Sequence, residues 1–328
     1  MKTFQKPKDR DFVILNLSDP QMNGFEWEEG HPYAPILKYT IDQLIEHNMP
    51  DLITVTGDMA YPGQFDSYET FAQLLDSYGI PWTIVWGNHD HQSGIEPVLQ
   101  AAELFKKHPL CQFEDGDPAF GNGNYILGVC DGDTPLTALF MIDSHNSVEA
   151  TMPNGEKKWV YDKLWPNQLE WINEQAKLLR SNGYQDAIVM MHMPTYSYRQ
   201  AALIAFPDGC GGDSDVYGQQ HELIASHPFE DGVLPVFKDN GLITHVLVGH
   251  DHCNNFMVDY EGIRHMFACK TGPGCYWQSA MNGGTIVICR QECFNSFDYQ
   301  FLICRRCRFI FLTIVFAGNK ASQHHYES

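Results

Sequence analysis

Apolar residues in this chain come in short unbroken runs, and five of those runs stop on side chains that can bind metal. "DFVILNLSD" closes on Ser18 and Asp19, with Gln21 just beyond; "DLITVTGD" closes on Gly57 and Asp58. "IPWTIVWGNHD" ends on Gly87, Asn88 and His89, "DAIVMMHMP" reaches His192, and "ITHVLVGHDH" reaches His250 and His252. Short runs of β-branched and aromatic residues without alternation predict strands buried on both faces. After the first run, "APILKYTIDQLIEHNMP" sets Leu37, Ile41, Leu44 and Ile45 at helical spacing, with Pro35 near the start and Pro50 as the stop. "DSYETFAQLLDSYG" predicts a second helix, with Asp66 and Glu69 in a capping-box arrangement and Gly79 where a C-terminal cap glycine belongs. Strand, helix, strand, helix, strand predicts parallel pairing with right-handed crossovers.

Farther along, residues 111–145 carry Gly-rich turns and short strands ("GNYILGVC", "ALFMIDS"). "PNQLEWINEQAKLLRSNG" predicts a helix with Leu169, Ile172, Ala176 and Leu179 along one face, and "FMVDYEGIRHMFAC" with "GGTIVIC" predicts a closing antiparallel section. No internal repeat or low-complexity linker interrupts this order. A core of two sheet layers with helices outside is the simplest architecture. The last residues, 290–328, fit neither period; they hold five Lys or Arg against three acids, unlike a chain whose overall charge is −20.

Composition narrows the class. A chain of 328 residues with 44% hydrophobic and 19% charged residues is expected to be globular, with one large core. A net charge of −20 speaks against wrapping a nucleic-acid backbone, so no nucleic-acid partner is expected. No run is long enough to span a bilayer, since "FIFLTIVFAG" falls short of the roughly 20 residues required, so no membrane partner is expected either. The N-terminus lacks an apolar export segment, which makes free thiols the expected state of the ten Cys and the cytoplasm the expected location.

One histidine at a strand end is usually a hydrogen-bonded polar residue. Five polar endings in one chain are hard to explain by packing, because polar groups there need partners and one shared cation partners them all. Carboxylate, amide and imidazole without thiolate suit Mn, Fe, Zn or Co in an open site better than a closed structural zinc. Asp58 follows a glycine, so its carboxylate is uncrowded and can bridge two cations, which together can bind and deprotonate one water.

"SDPQ", "GDMAY", "GNHD", "MHMP" and "GHDH", in that order, resemble the calcineurin-like metallophosphoesterase superfamily over residues 12 to about 288. "GHDHCNNF" and "NQLEWI" resemble its branch near the purple acid phosphatases and related cytosolic phosphoesterases. The resemblance implies an α/β fold, a four-layer α/β/β/α sandwich with mixed sheets, in a metallophosphoesterase domain of residues 1–289 followed by a C-terminal extension, 290–328. It implies two divalent or mixed-valence metal ions, one held by Asp19, Gln21, Asp58 and His252 and the other by Asp58, Asn88, His192 and His250. It implies that His89 is no ligand but the proton donor or phosphate binder. The expected reaction is hydrolysis of a phosphomonoester or small phosphodiester by a metal-bridging hydroxide. A nuclease of the same fold and a non-catalytic metal-binding interaction protein are the alternatives.

Two positions depart from the common pattern. Gln21 stands where most members have histidine, and Tyr61 where many have a carboxylate. Purple acid phosphatases use a tyrosine there as an iron ligand but pair it with glycine at the position of Gln21; Gln21, not Tyr61, is therefore the expected ligand. Asp90 is expected to bond backbone rather than metal. His91, and Tyr196, Tyr198 and Tyr217 in the long loop after His192, are weaker candidates near the site. Cys289, Cys293, Cys304 and Cys307 have only loosely zinc-like spacing and read as ordinary thiols.

Overall fold

The structure, a computed structural model, describes residues 1–61, 63–214 and 217–289 and the strand at 307–313. The first half of the chain runs β1 (Lys2–Gln5), β2 (Phe12–Leu17), α1 (Tyr33–Asn48), β3 (Leu52–Thr56), α2 (Phe65–Ser77), β4 (Trp82–Val85) and α3 (Ile95–Phe105). It continues through β5 (Tyr125–Asp131), β6 (Thr134–Met141), the hairpin β7 (Ser147–Thr151) and β8 (Lys157–Tyr161), then α4 (Pro166–Ser181), β9 (Asp186–Met190) and α5 (Ser197–Ala205). After the short pair β10 (Gly212–Ser214) and β11 (Gly218–Gln220) come α6 (Val233–Asp239), β12 (Ile243–Val248), β13 (Met257–Tyr260), β14 (Ile263–Phe267), β15 (Gly283–Cys289) and β16 (Cys307–Thr313).

Two mixed sheets carry the fold. One has the order β16-β15-β2-β3-β4, the other β1-β5-β6-β9-β12-β14-β13. The three parallel strands β2, β3 and β4 are those expected from the early alternation. β9 and β12 are parallel neighbours in the second sheet. β15 pairs antiparallel with β2, so "GGTIVIC" closes the first sheet, while β13 and β14 form an antiparallel pair at the edge of the second.

Alternation along the second sheet decides the layering. Leu139 and Met141 of β6, Ile188 and Met190 of β9, and Leu247 of β12 enter one core with β2, β3, β4 and helices α1 to α3. Their neighbours Ala138, Phe140, Ala187, Val189, Val246 and Val248 enter a second core with α4, α5 and α6. Since side chains alternate faces along a strand, a sheet whose every residue is apolar must be covered on both sides. The result is four layers, α/β/β/α, with mixed sheets, and Trp82, Trp86, Phe71 and Phe105 are fully buried in the first core.

Some local expectations shift. α2 begins at Phe65, so Asp66 lies inside the first turn and no capping box forms; Gln64 takes the cap position without a side-chain hydrogen bond. Glu69 instead accepts from Gln73 and meets His108. Gly79 does adopt the left-handed conformation after the helix, with φ of 68°. α3 and the β7–β8 hairpin lie outside the pattern read above.

Two histidines are locked into this core. Burial, joined by the charge of Arg264, pushes His245 down to about 3, and burial pushes His265 down to about 4. Both stay neutral in the folded protein at pH 5, whereas an unfolded chain protonates them below about pH 6.5. The unfolded state then binds more protons, so each histidine removes about 1.4 kcal/mol of stability per pH unit between about 6.5 and its folded value. In urea unfolding at pH 7 and pH 5, His245→Gln is expected to lose less stability on acidification than wild type, by about 2 kcal/mol.

Candidate metal centre

The carboxyl ends of β2, β3 and β4 meet those of β9 and β12 along one edge of the sandwich. Backbone hydrogen bonds join the loops there: Asp19 N–H donates to Gly57 O at 3.1 Å, Gln21 N–H to Asp58 O at 2.9 Å, and Gly249 N–H to His192 O at 3.0 Å. His250 N–H donates to Asp19 Oδ2 at 3.1 Å, tying the two sheets together. Four of the candidate ligands sit in the left-handed region: Asp19, Gln21, Asp58 and His250, with φ of 53°, 41°, 52° and 75°. Such backbone costs of order 1 kcal/mol or more per residue and concentrates at functional sites.

Close approach explains the glycines that precede the ligands. A Cβ on Gly87 would lie 2.1 Å from Asp58 Oδ1, and one on Gly249 would lie 2.1 Å from Ser18 Oγ and 2.6 Å from Asp19 Oδ2. The carboxylates occupy the space a side chain would need.

Asp58, His192 and His250 offer ligand atoms that all lie within 4.8 Å of one another, and all three residues are buried. His192 Nε2 is 2.9 Å from Asn88 Oδ1 and 3.3 Å from Asp58 Oδ2, and it is 3.2 Å from His250 Nδ1. Its other nitrogen, Nδ1, is 2.8 Å from the carbonyl of Thr56 and donates to it, which turns Nε2 into the cluster. Gln21 Nε2 donates to Asp58 Oδ2 at 2.9 Å. His252 Nε2 lies 3.4 Å from Asp19 Oδ1 while its Nδ1 meets the Tyr276 carbonyl at 2.8 Å. The structure thus brings Asp19, Gln21, Asp58, Asn88, His192, His250 and His252 together.

Electrostatics in this buried space ask for a cation. Burial, the largest single effect, raises the Asp19 and Asp58 carboxyls, but His192, His252 and Lys270 together at Asp19, and His192 and His89 together at Asp58, outweigh it; both end below the ordinary carboxylate range. Burial disfavours a charged His192, but Asp58 and Asp19 push it up to about 10. Burial and that neighbouring charge push His250 down to about 3. One proton on His192 therefore serves two carboxylates. Three ligand-capable atoms still have no hydrogen-bond partner although buried: Asp19 Oδ1, Gln21 Oε1 and His250 Nε2. Unpartnered buried polar atoms are costly and rare, and divalent cations in the cluster would partner them. The residues present fit such ions.

Around the cluster the other candidates separate. Asp90 accepts from the N–H groups of Asp58, Met59 and Gly87 and from the Tyr68 hydroxyl, so it clamps two strand-end loops. Burial and the charge of Asp58 raise its carboxyl to about 6. His91 pairs with Asp143, at 3.1 Å, away from the ligands. His89 is only partly buried; its N–H donates to Asp58 Oδ1 at 2.8 Å and its ring stands at the mouth, with Nδ1 3.2 Å from Gln92 Oε1. Tyr61 packs edge-on against the His89 ring, centroids 5.2 Å apart, and burial raises its hydroxyl, helped by the adjacent Cys275.

The cluster opens into a small cleft of about 130 Å³ lined in part by His89, Tyr161, Glu222, His250, His252 and Tyr276. The long loop after His192 does reach it, through Glu222 and Ala225, but not through its tyrosines. Tyr198 is fully buried and donates to the carbonyls of Val246 and Met266, and Tyr217 packs on the second core. Tyr161 and Tyr276 went unnoticed in the sequence, as did Lys270, whose buried ammonium donates to the Asp19 carbonyl. None of these three follows a buried strand with a ligand motif. Cys289 is a buried free thiol; Cys293 and Cys304 lie outside the described residues, as do the side-chain contacts of Cys307.

The family model for calcineurin-like phosphoesterases matches residues 12–254, a span that holds every ligand of the cluster. The chain belongs to the calcineurin-like phosphoesterase family. A relative in Arabidopsis thaliana, named probable inactive purple acid phosphatase 28, is 27% identical over 242 residues, 67% of this chain and 58% of that protein. Phosphatase DCR2 of Saccharomyces cerevisiae is 24% identical over 314 residues, 86% of this chain and 51% of that protein. This member of the family thus spans little more than half the length of those two relatives. A dimetal phosphatase from Danio rerio has the same fold, with a TM-score of 0.52 at 14% identity over 85% of this chain and 93% of that one.

Replacing Gly87 by alanine tests how tightly the cluster is built. The added methyl forces Asp58 to move, with an overpacking cost of about 1–3 kcal/mol. Gly87→Ala is expected to melt several degrees lower and to retain less metal after loading and dialysis, as read by elemental analysis.

Proposed function

We propose that this family member is a dinuclear metal-dependent phosphoesterase acting on phosphomonoesters or small phosphodiesters. The observation that carries the reading is the set of buried, unpartnered atoms on Asp19, Gln21 and His250 around the Asp58 carboxylate. In this reading Asp19, Gln21 and His252 hold one cation, Asn88, His192 and His250 hold the other, and Asp58 serves both. The donors suit Mn, Fe or Zn. Bound cations supply positive charge for the phosphoryl oxygens and a water acidic enough to be a nucleophile near neutral pH.

The remaining work falls to side chains of this chain. Asp90 fixes the Asp58 and Gly87 backbones, so the bridging carboxylate and the Asn88–His89 turn keep one relative position. His89 stands at the mouth with Nδ1 donating to Gln92 Oε1, so the proton delivered to the leaving oxygen is the one Nε2 carries when the ring is an imidazolium. Tyr61, held against the His89 ring, positions the donor and is not a ligand. The burial of the ligands keeps bulk water from screening their charge.

Substrate size and charge follow from the cleft. It takes a small phosphorylated molecule, and no Lys or Arg is among its lining residues, which disfavours a nucleic-acid backbone. We assign the catalytic unit to residues 1–289, since every candidate ligand precedes Cys289; β16 pairs with β15 beyond it as an added edge strand. A cytoplasmic location suits the free thiols at Cys111, Cys130, Cys210, Cys253, Cys269, Cys275 and Cys289, and among the described residues no helix is long and apolar enough to cross a membrane. The rival reading, metal binding without turnover, takes its support from the word inactive in the Arabidopsis relative's name.

Two substitutions test the reading. Asp58→Asn is expected to lower bound metal to one ion per chain or fewer and to abolish hydrolysis of an aryl phosphate; two tightly held ions in that variant would remove the bridging role. His89→Ala is expected to keep its metal while kcat falls about 10²–10⁴-fold on alkyl phosphates and much less on aryl phosphates, whose leaving groups need no proton. Equal losses on both would assign His89 to phosphate binding. Aryl phosphate turnover by wild type, lost with a chelator, decides against the non-catalytic rival.

A further inference from the structure

The cleft beside the metal ligands has an unusual chemistry for a site that takes phosphoesters. Its lining has no Lys or Arg, and of its three carboxylates, Asp58, Asp251 and Glu222, only Glu222 is not fully buried. Asp58 is in the cluster. Asp251 is buried and turned toward the Ala225 N–H and the Asn254 amide. Glu222 is only partly buried, and both its oxygens accept hydrogen bonds: Oε1 from the Cys253 N–H, and Oε2 from the Tyr276 hydroxyl at 2.8 Å. Those two bonds fix the carboxylate at the cleft and leave each oxygen an open lone pair.

Two aromatic rings line the same cleft. Tyr276 stacks on His252, centroids 4.1 Å apart, and is half exposed, so one face of its ring is covered by the histidine and the other is open. Tyr161, from the base of the β7–β8 hairpin, stands edge-to-face with His250 at 4.5 Å. Both rings are therefore held by imidazoles of the metal cluster. Aromatic faces beside a fixed carboxylate attract ammonium groups, most of all quaternary ones. A second phosphate or a carboxylate on the substrate would meet Glu222 with the same sign of charge.

We infer that Glu222, with Tyr276 and Tyr161, selects phosphoesters whose alcohol portion carries an ammonium group. This rests on the phosphoesterase reading and names its substrate class. The phosphoryl group lies at the cluster and the cationic alcohol points to Glu222. Hydrolysis breaks the phosphorus–oxygen bond to that alcohol; water gives its oxygen to phosphate and a proton to the departing alcohol.

Phosphocholine and 3,3-dimethylbutyl phosphate have the same shape and differ in the charge of the alcohol, which makes them the test pair. With the protein loaded with Mn, kcat/KM for phosphocholine is expected to exceed that for the neutral isostere about tenfold. In Glu222→Gln, which keeps an acceptor for the Cys253 N–H, the ratio is expected to fall toward one. Equal rates on the two esters in wild type, or an unchanged ratio in Glu222→Gln, would overturn the selection while leaving phosphoesterase activity intact. Failure of wild type to hydrolyse either ester, an aryl phosphate or a bis-aryl phosphodiester would overturn the phosphoesterase reading, and this inference with it.

Discussion

Two carboxylates, Asp19 and Asp58, are buried within reach of the same imidazole, and the rest of the site follows from that constraint. Like charges in a low-dielectric space repel strongly unless positive charge lies between them. In the protein alone that charge is a proton on His192, held up to about 10 by the two acids. The proton is a partial answer, since Asp19 Oδ1, Gln21 Oε1 and His250 Nε2 still accept or donate no hydrogen bond. Divalent cations answer it fully. The same need explains why Lys270, a fully buried ammonium, sits beneath Asp19 with its pKa lowered by burial against the pull of that carboxylate.

Holding such a cluster requires a scaffold that resists relaxation. Left-handed backbone at Asp19, Gln21, Asp58 and His250 would relax if the loops were free. They are not, because each loop is bonded to another: Asp90 ties the loops after β3 and β4, and the His250 N–H ties the loop after β12 to Asp19. Beneath them, strands apolar on both faces anchor the loop ends in two cores. Rigid strands, strained turns and ligands form one chain of cause, and the chemistry stands at its end.

Family membership and fold leave the substrate undetermined, because many reactions share this scaffold. Selectivity belongs to the side chains around the cluster, and here those are aromatic and acidic. Glu222 reaches the cleft from a long loop, Tyr161 from a hairpin and Tyr276 from the segment before β15.

The sequence by itself marked the buried strands and the candidate metal ligands at their ends, and for one reason. A strand buried on both faces is apolar along most of its length, so Asp19, Asp58, Asn88, His192 and His250 stand out as polar clusters at the ends of those runs. Helix periodicity likewise marked α1, α2 and α4. Only the tertiary structure decided what surrounds those ligands. Nothing in "DSYETFAQ" shows that Glu69 turns to His108 and Gln73 instead of capping its helix, since capping depends on where the preceding loop lets the helix begin. Tyr198 looked like a loop tyrosine and is a core residue, because α5 begins immediately there and rotates it onto β12 and β14. Tyr161, Glu222, Lys270 and Tyr276 carry no local signal at all. Their positions come from contacts between residues far apart in the chain, and pairing at that range is set by the packing of whole elements, which no short stretch of sequence encodes.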